Sequence, residues 1–339
     1  MIPETNPTAR APFLSILLVN FNGLRHLEEC LASVSAQDFR SFEVVLVDNA
    51  STDGSAEFVR ARFPDVNIVD AGANLGFAGG NNLGIRHCRG EWIFLLNNDT
   101  RLEPGALSAI HEGTARHPDY RIFACFMLNH RDPTRVDNAG EAFYRAGFTY
   151  GFSGWPSDAF KAPREVVGAC GGAAVFRADV LRGLEGFDED FFLIFEDVDL
   201  CCRARHLGEK ILFLPDARVL HKGSASIGGQ ASDIAVYYAT RNYLFFLIKN
   251  FPIRSLVVAA PGALYGMCSR FVNVSRRGQS RVFLRALRDA ARLFPEMLRR
   301  RRRILAGSKI SSLEFGRLFR SGWLRESRAF RRGDFSAAP

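Results

Sequence analysis

Between residues 14 and 100 three apolar runs each stop on a polar cluster. Ser15-Ile16-Leu17-Leu18-Val19 leads into Asn20-Phe21-Asn22-Gly23, Phe42-Glu43-Val44-Val45-Leu46-Val47 into Asp48-Asn49-Ala50-Ser51, and Trp92-Ile93-Phe94-Leu95-Leu96 into Asn97-Asn98-Asp99-Thr100. Helical patterns over residues 24–36, 54–62 and 79–88 lie between or beside these runs, and another over 104–116 follows. The spacing is that of successive βαβ units, roughly 30 residues each, so it predicts a parallel sheet. Pro104 stands where a first helical turn tolerates it. In an open α/β sheet the ligand sits beyond the carboxyl ends of the strands, and three such ends converge on one polar crevice.

At 339 residues and 47% apolar content the chain can bury one large α/β domain with an appendage. Its charge is unevenly spread. Residues 251–339 carry 20 Arg or Lys against 5 Asp or Glu, a net of +15, which leaves −7 for the rest of a chain whose total is +8. That split suggests a nearly neutral catalytic body and a basic tail for an anionic surface. Seven cysteines form no C-x-x-C pair, and the adjacent Cys201-Cys202 cannot bridge easily, which fits a reduced, cytoplasmic protein. The start, Met1-Ile2-Pro3-Glu4-Thr5-Asn6-Pro7, lacks the regions of a signal peptide. The best candidate for a membrane span, 256–268, is short and interrupted by Pro261, Gly262 and Gly266, so none is expected.

Residues 130–165 read as a loop-rich insertion on the substrate side. A small-residue segment at 168–174 follows, then Gly186-Phe187-Asp188-Glu189, a helix over Glu196–His206, and a strand pair ending at Leu220-His221. No internal repeat is visible.

The polar clusters admit two readings each. Asp48 is either a turn residue or an acceptor for a base N–H or ribose hydroxyl, whereas Asp53 suits helix capping. The stretch from Asn74 through Gly76 to Gly84 lacks the G-x-G-x-x-G spacing of a dinucleotide loop. It is either punctuation before a helix or, given its three asparagines, a sugar-facing loop. Asp99 is a candidate ligand for a diphosphate-bound divalent cation, which prefers hard oxygen donors. His221, ending a strand far along the chain, is either a structural histidine or the group that closes the cation's shell. Glu196, Asp197 and Asp199 suit the positive end of a helix dipole, yet acids placed directly after the apolar run 191–195 also face a crevice that needs a general base. Asp199 and Arg203, four apart, can pair along the helix, which assigns Asp197 to chemistry.

Taken together, Val-Asn-Phe-Asn-Gly (19–23), Val-Asp-Asn-Ala-Ser-Thr-Asp-Gly-Ser (47–55), Asn-Leu-Gly-Phe-Ala-Gly-Gly-Asn-Asn (74–82), Leu-Asn-Asn-Asp-Thr (96–100), Gly-Phe-Asp-Glu (186–189) and Phe-Glu-Asp-Val-Asp-Leu-Cys (195–201) resemble family 2 glycosyltransferases, in particular the rhamnosyltransferase-like subgroup. The resemblance spans about 14–250. It implies the glycosyltransferase A fold, a Rossmann-like, mostly parallel sheet with helices on both faces. It also implies an inverting, metal-dependent transfer from a nucleotide sugar. Residues 1–250 would form the catalytic domain, with a donor half (14–100) and an acceptor half (101–250), and 251–339 a basic amphipathic helical region. By the resemblance Phe21 stacks on the base and Asp48 bonds base or ribose. Asn22, Asn74, Gly76, Asn97 and Asn98 complete the donor site, Asp99 and His221 hold Mg2+ or Mn2+, and Asp197 is the catalytic base. Many relatives carry a further Asp where Asn97 and Asn98 stand, so tight cation binding is expected to need the donor diphosphate.

The favoured donor is deoxythymidine diphosphate rhamnose (dTDP-rhamnose), ahead of UDP- or GDP-linked sugars, and the acceptor a glycan or lipid-linked glycan of cell-surface polysaccharide assembly. A nucleotidyltransferase would need an Arg-containing phosphate loop after the first strand, and a processive synthase a Q-x-x-R-W motif; neither is present. A non-enzymatic membrane adaptor explains only the tail. In that tail Arg281, Arg285, Arg288 and Arg292 recur in threes and fours before the run 299–303. An anionic membrane, nucleic acid and plain solvent compete as its partner, and the membrane is favoured over nucleic acid. The protein is therefore expected at the inner face of the cell membrane, held peripherally by a tail that could be removed from about 281 without unfolding the body.

Overall fold

A computed structural model describes residues 11–145, 147–223, 229 and 231–320. Residues 1–7, and the part of the basic region from 321, lie outside them. Strands β1 (Leu14–Asn20), β2 (Phe42–Asp48), β3 (Asn67–Asp70) and β4 (Trp92–Leu96) alternate with helices α1 (Leu24–Ser35), α2 (Ser55–Arg62) and α3 (Gly76–Ile85). Next come β5 (Thr100–Leu102), α4 (Ala106–Arg116), β6 (Ile122–Asn129), β7 (Val136–Asn138), β8 (Ala142–Tyr144), β9 (Thr149–Tyr150) and β10 (Arg164–Val166). The remainder is β11 (Ala173–Arg177), α5 (Ala178–Gly183), α6 (Glu196–His206), β12 (Ile211–His221), α7 (Asp233–Asn250), α8 (Ile253–Arg276), α9 (Ser280–Ala306), α10 (Ser312–Arg317) and β13 (Phe319–Arg320).

The main sheet runs β10-β12-β6-β11-β4-β1-β2-β3, with β5 on β12 and β7 on β6. β1, β2, β3 and β4 pair in parallel, as do β6 and β12, while β11 runs antiparallel between β4 and β6. Side chains alternate across the sheet. Leu17, Val45, Val47, Ile93 and Leu95 pack with Ala78 and Ile85 of α3 on one face. Ile16, Leu18, Leu46, Phe94 and Leu96 pack with Leu27 and Leu31 of α1 and Ile110 of α4 on the other. Both faces are therefore covered, which is why these strands are apolar throughout.

Four local expectations need correction. α3 begins at Gly76, not 79, because that glycine (φ 71°) makes the turn and its N–H is capped by Asn74 Oδ1 at 2.9 Å. Pro104 lies ahead of α4, which starts at Ala106 after Gly105. The expected strand pair is the single strand β12, whose register on β6 shifts between Leu214 and Arg218, around Pro215, a residue that cannot donate to a ladder. Residues 253–276 form one unbroken helix despite Pro261, Gly262 and Gly266, and it is long and apolar enough to cross a membrane by length and composition.

The C-terminal region is not a loose tail. β13 adds in parallel to β8, and a third apolar core joins Phe143, Phe191, Val198 and Cys202 to Tyr243, Phe246, Ala290, Met297, Phe315 and Phe319. A cut near 281 would divide that core.

Candidate active site

β2 and β3 lie on one side of β1 and β4 on the other, so the chain reverses its direction across the sheet beside β1. At the carboxyl ends of β1 and β4 opens a cleft of about 450 Å³. Phe21, Asn74, Gly76, Asn97, Asn98, Asp99, Asp197 and His221 line it, so eight of the ten predicted residues meet there.

The other two, the exposed Asn22 and the buried Asp48, do not line it. Asp48 is buried and accepts from Asn20 Nδ2 (3.2 Å) and Ser51 N (3.1 Å). Asn22, at φ 50°, accepts from Thr52 N (2.8 Å) and donates its own N–H to Ser51 Oγ (2.9 Å). Asn98 donates to Asn20 Oδ1 (2.7 Å), tying the ends of β1, β2 and β4 together. Asp53 accepts from Leu24 N (2.9 Å) and Ser55 N (3.1 Å), serving the first turns of both α1 and α2.

Pairing of β12 with β5 brings His221 opposite Thr100 and so beside Asp99. His221 Nδ1 bonds Asp137 Oδ2 at 2.7 Å. Its buried Nε2 lies 3.2 Å from Asp99 Oδ1 but makes no well-formed hydrogen bond there. Burial pulls the imidazole pKa down, yet the bond to Asp137 and the close carboxylates of Asp99 and Asp137 raise it to about 10. Burial likewise opposes ionisation of Asp99, but His221 and then His26 overcome it and hold the carboxyl below its ordinary range. Asp99 Oδ1 and His221 Nε2 thus face each other with Asp137 fixing the ring; the two could serve as donors to a divalent cation that displaces the Nε2 proton, the remaining ligands coming from outside the protein, since no cluster of three or more such side chains occurs among the described residues.

Across the cleft, Asp197 at the start of α6 accepts from Gly171 N and Val198 N, both at 2.8 Å. Burial nonetheless raises its pKa above the ordinary carboxylate value. Glu196 is more deeply buried, with Oε2 lacking any hydrogen-bond partner, and burial followed by the charge of Asp197 drives its carboxyl well upward. Burial thus opposes ionisation of both carboxyls, of Glu196 the more. Asp199 is fully buried and does pair with Arg203 (2.9 Å), and it also takes Lys249 and Asn250, each at 2.8 Å.

The loop feeding α6 is backbone-strained. Phe192, Ile194 and Phe195 have φ of 65°, 66° and 74°, a region that costs non-glycine residues about 1–3 kcal/mol each. Three of its carbonyls, those of Phe191, Leu193 and Ile194, accept from the single amide of Asn242 at 2.7–2.8 Å, and Arg241 adds a bond to Phe191 O (3.1 Å). Below it Asp188 is gripped by Lys249 and by Arg300 of α9, which also reaches Asp190 (2.6 Å). Gly76 packs against this loop so closely that a Cβ there would stand 2.5 Å from Phe192 O.

Sequence reasoning assigned no role to Asp137, Arg241, Asn242, Lys249 or Arg300. The polar pair Arg241-Asn242 inside an otherwise aromatic and apolar stretch was a usable signal; Asp137, in an irregular segment, offered none. The run 299–303 is also divided in its work: Arg300 grips the loop, Arg301 donates to Ile248 O (2.8 Å), and Arg299 pairs with Glu296 (2.7 Å).

A mostly parallel sheet with this cleft at its reversal point defines a glycosyltransferase of the A fold. The mannosyltransferase PcManGT of Pyrobaculum calidifontis, solved with GDP-Man and Mn2+, matches with a TM-score of 0.55 over 88% of this chain and 86% of that one, at 19% identity. Residues 15–184 match Glycosyl transferase family 2, and the chain belongs to that family. It is similar to the N-acetylglucosaminyl-diphospho-decaprenol L-rhamnosyltransferase of Mycobacterium tuberculosis, at 28% identity over 70% of this chain and 85% of the relative. It is also similar to the low-salt glycan biosynthesis hexosyltransferase Agl10 of Haloferax volcanii, at 27% over 70% and 75%.

Proposed function

We propose that the protein is an inverting, divalent-cation-dependent glycosyltransferase acting on a glycan or lipid-linked acceptor in cell-surface polysaccharide assembly, with dTDP-rhamnose as donor. The observation that carries this reading is that one cleft holds both the Asp197 carboxylate and the Asp99–His221 pair. Phe21, exposed at the cleft, offers a face for the base, and Asn74 and Asn97 offer amides to ribose or sugar. Asp99 and His221 would hold Mg2+ or Mn2+, which when bound supplies positive charge for the leaving diphosphate.

Asp197 takes the proton of the acceptor hydroxyl as that oxygen attacks the anomeric carbon from the face opposite the diphosphate, so the centre inverts and no covalent enzyme intermediate is needed. Its raised pKa makes it the stronger base once ionised. The similarity to a rhamnosyltransferase supports the donor assignment. The basic surface supports a cytoplasmic protein held peripherally at the inner face of the membrane.

The test is thermal stabilisation of the purified protein by dTDP-, UDP- and GDP-sugars, with and without Mn2+. The largest, cation-dependent shift is expected with dTDP-rhamnose. A larger shift with a UDP- or GDP-sugar transfers the assignment to that donor, and no shift with any of them leaves the adaptor reading in possession.

A further inference from the structure

α8 buries little of itself. Seven of the thirteen large apolar side chains exposed on the described surface lie on this one helix, among them Ile253, Val257, Val258, Leu264, Tyr265 and Phe271. They recur at intervals of four and seven, so they form one stripe, and Arg254 is the one charged residue among the exposed positions 253–273. An apolar stripe of this length, roughly 30 Å at 1.5 Å per residue, exceeds what scattered surface residues explain.

The opposite face of α8 is committed to the protein. Ala259 and Val274 are buried, Gly266 lies against the Phe148 ring, and Arg270 donates to Thr240 Oγ1 at 3.1 Å. A helix fastened along one side cannot cross a bilayer by itself, but it can lie in the interface with its free side immersed. The charge around the stripe suits that position. Arg254 stands near one end and Arg276 and Arg277 at the other, and none of the three makes an ion pair among the described residues. Beside the first end, Arg145, Arg254 and Arg317 rim a cavity of about 220 Å³ whose walls are Phe251, Val258 and Leu313. Arginines around an apolar notch match the phosphate and the upper acyl chain of a lipid.

We infer that α8, with the arginine-rimmed notch between it and α10, is the surface on which the protein lies on an anionic lipid bilayer. The run 299–303, with Arg300 and Arg301 engaged inside the fold, is secondary. This deepens the membrane part of the proposed function and rests on it. Donor-induced thermal stabilisation without lipid reports on the catalytic part separately.

The full chain is tested by sedimentation with vesicles of phosphatidylcholine alone and of phosphatidylcholine with phosphatidylglycerol. Wild type should sediment with the mixed vesicles. Val258→Glu with Leu264→Glu should weaken this by about tenfold or more while leaving donor-induced stabilisation intact. Arg254→Glu with Arg317→Glu should abolish the preference for mixed over neutral vesicles.

Cys268 lies on the free face and is the one exposed thiol among the described cysteines, so a polarity-sensitive dye placed on it reads immersion directly in otherwise unaltered protein. Its emission should shift to the blue on adding mixed vesicles. Sedimentation without that shift, unchanged sedimentation of the Val258/Leu264 variant, or failure of wild type to bind mixed vesicles at low salt each overturns the inference.

Discussion

In the proposed mechanism Asp197 and the Asp99–His221 pair divide the chemistry, and their variants should separate accordingly. Asp197→Asn keeps the two hydrogen bonds that orient the side chain only in part, but it removes the base. Donor binding should stay near wild type while transfer falls about 100-fold or more, read as kcat against donor-induced stabilisation. Asp99→Ala and His221→Ala should instead weaken cation-dependent binding of the nucleoside diphosphate. Asp137→Asn should lower cation affinity by about 10- to 100-fold, measured by titrating Mn2+ in the presence of the diphosphate. Glu141 gives a pH signature independent of turnover. It accepts from Asn138 at 2.6 Å, and burial, followed by the charge of Asp197, lifts its pKa from an unfolded value of 4.5 to about 7. The folded state holds that proton more tightly, so stability falls as pH rises from 4.5 through 7 and stays lower above. Glu141→Gln should accordingly raise the unfolding free energy by about 1–2 kcal/mol at pH above 7 and change it little near pH 4.5, in denaturant titrations at both pH values. Asp99, Asp197 and His221 were legible in the sequence because each terminates or begins a strongly patterned element. Asp48 was legible as a position, but not in its orientation: beside the local bond from Ser51 N, what decides that is Asn20, a contact made only after β1 and β2 pair.

At the scale of elements, α7 sets the shape of the cleft floor without entering it. Asn242 bonds three carbonyls of the strained segment before α6 and shares that of Phe191 with Arg241, so Asn242→Ala takes the Asn242 bond from the carbonyls of Leu193 and Ile194 beside left-handed residues. A loss of about 2–4 kcal/mol is expected in thermal or denaturant unfolding, with kcat reduced more than donor affinity because Asp197 hangs from that segment. Restoring a donor with Asn242→Gln should recover little, since the three acceptors fit one amide position. Element types were readable where periodicity was strong, as in α1, or where acidic residues marked a first turn, as in α2 and α6. The errors fell where glycine or proline blurred it: at the start of α3, before α4, and at Pro215 inside β12. Pro261 misled in the other direction, because a proline on the solvent side of a helix need not end it when the opposite face is packed.

The molecule as a whole is a parallel-sheet body whose C-terminal helices close the third core. Composition made the basic charge of residues 251–339 plain but could not tell which arginines face inward. That depends on Asp188, more than a hundred residues earlier. Removal of the chain from 281 is therefore expected to take away Arg300, Met297 and β13 together, and to yield a protein without the cooperative melting transition of the intact chain. A truncated protein that melts cooperatively and binds donor would show that the third core is dispensable. The pairing of β13 with β8 also orders events during synthesis. β1, β2, β3 and β4 can pair while translation is still under way, whereas residues 143–144 wait for 319–320 to leave the ribosome. The nascent chain thus gains β1 to β4 early but completes the core packed against α6 last, so a ribosome stalled in the final fifth of the message is expected to release a product folded only in part.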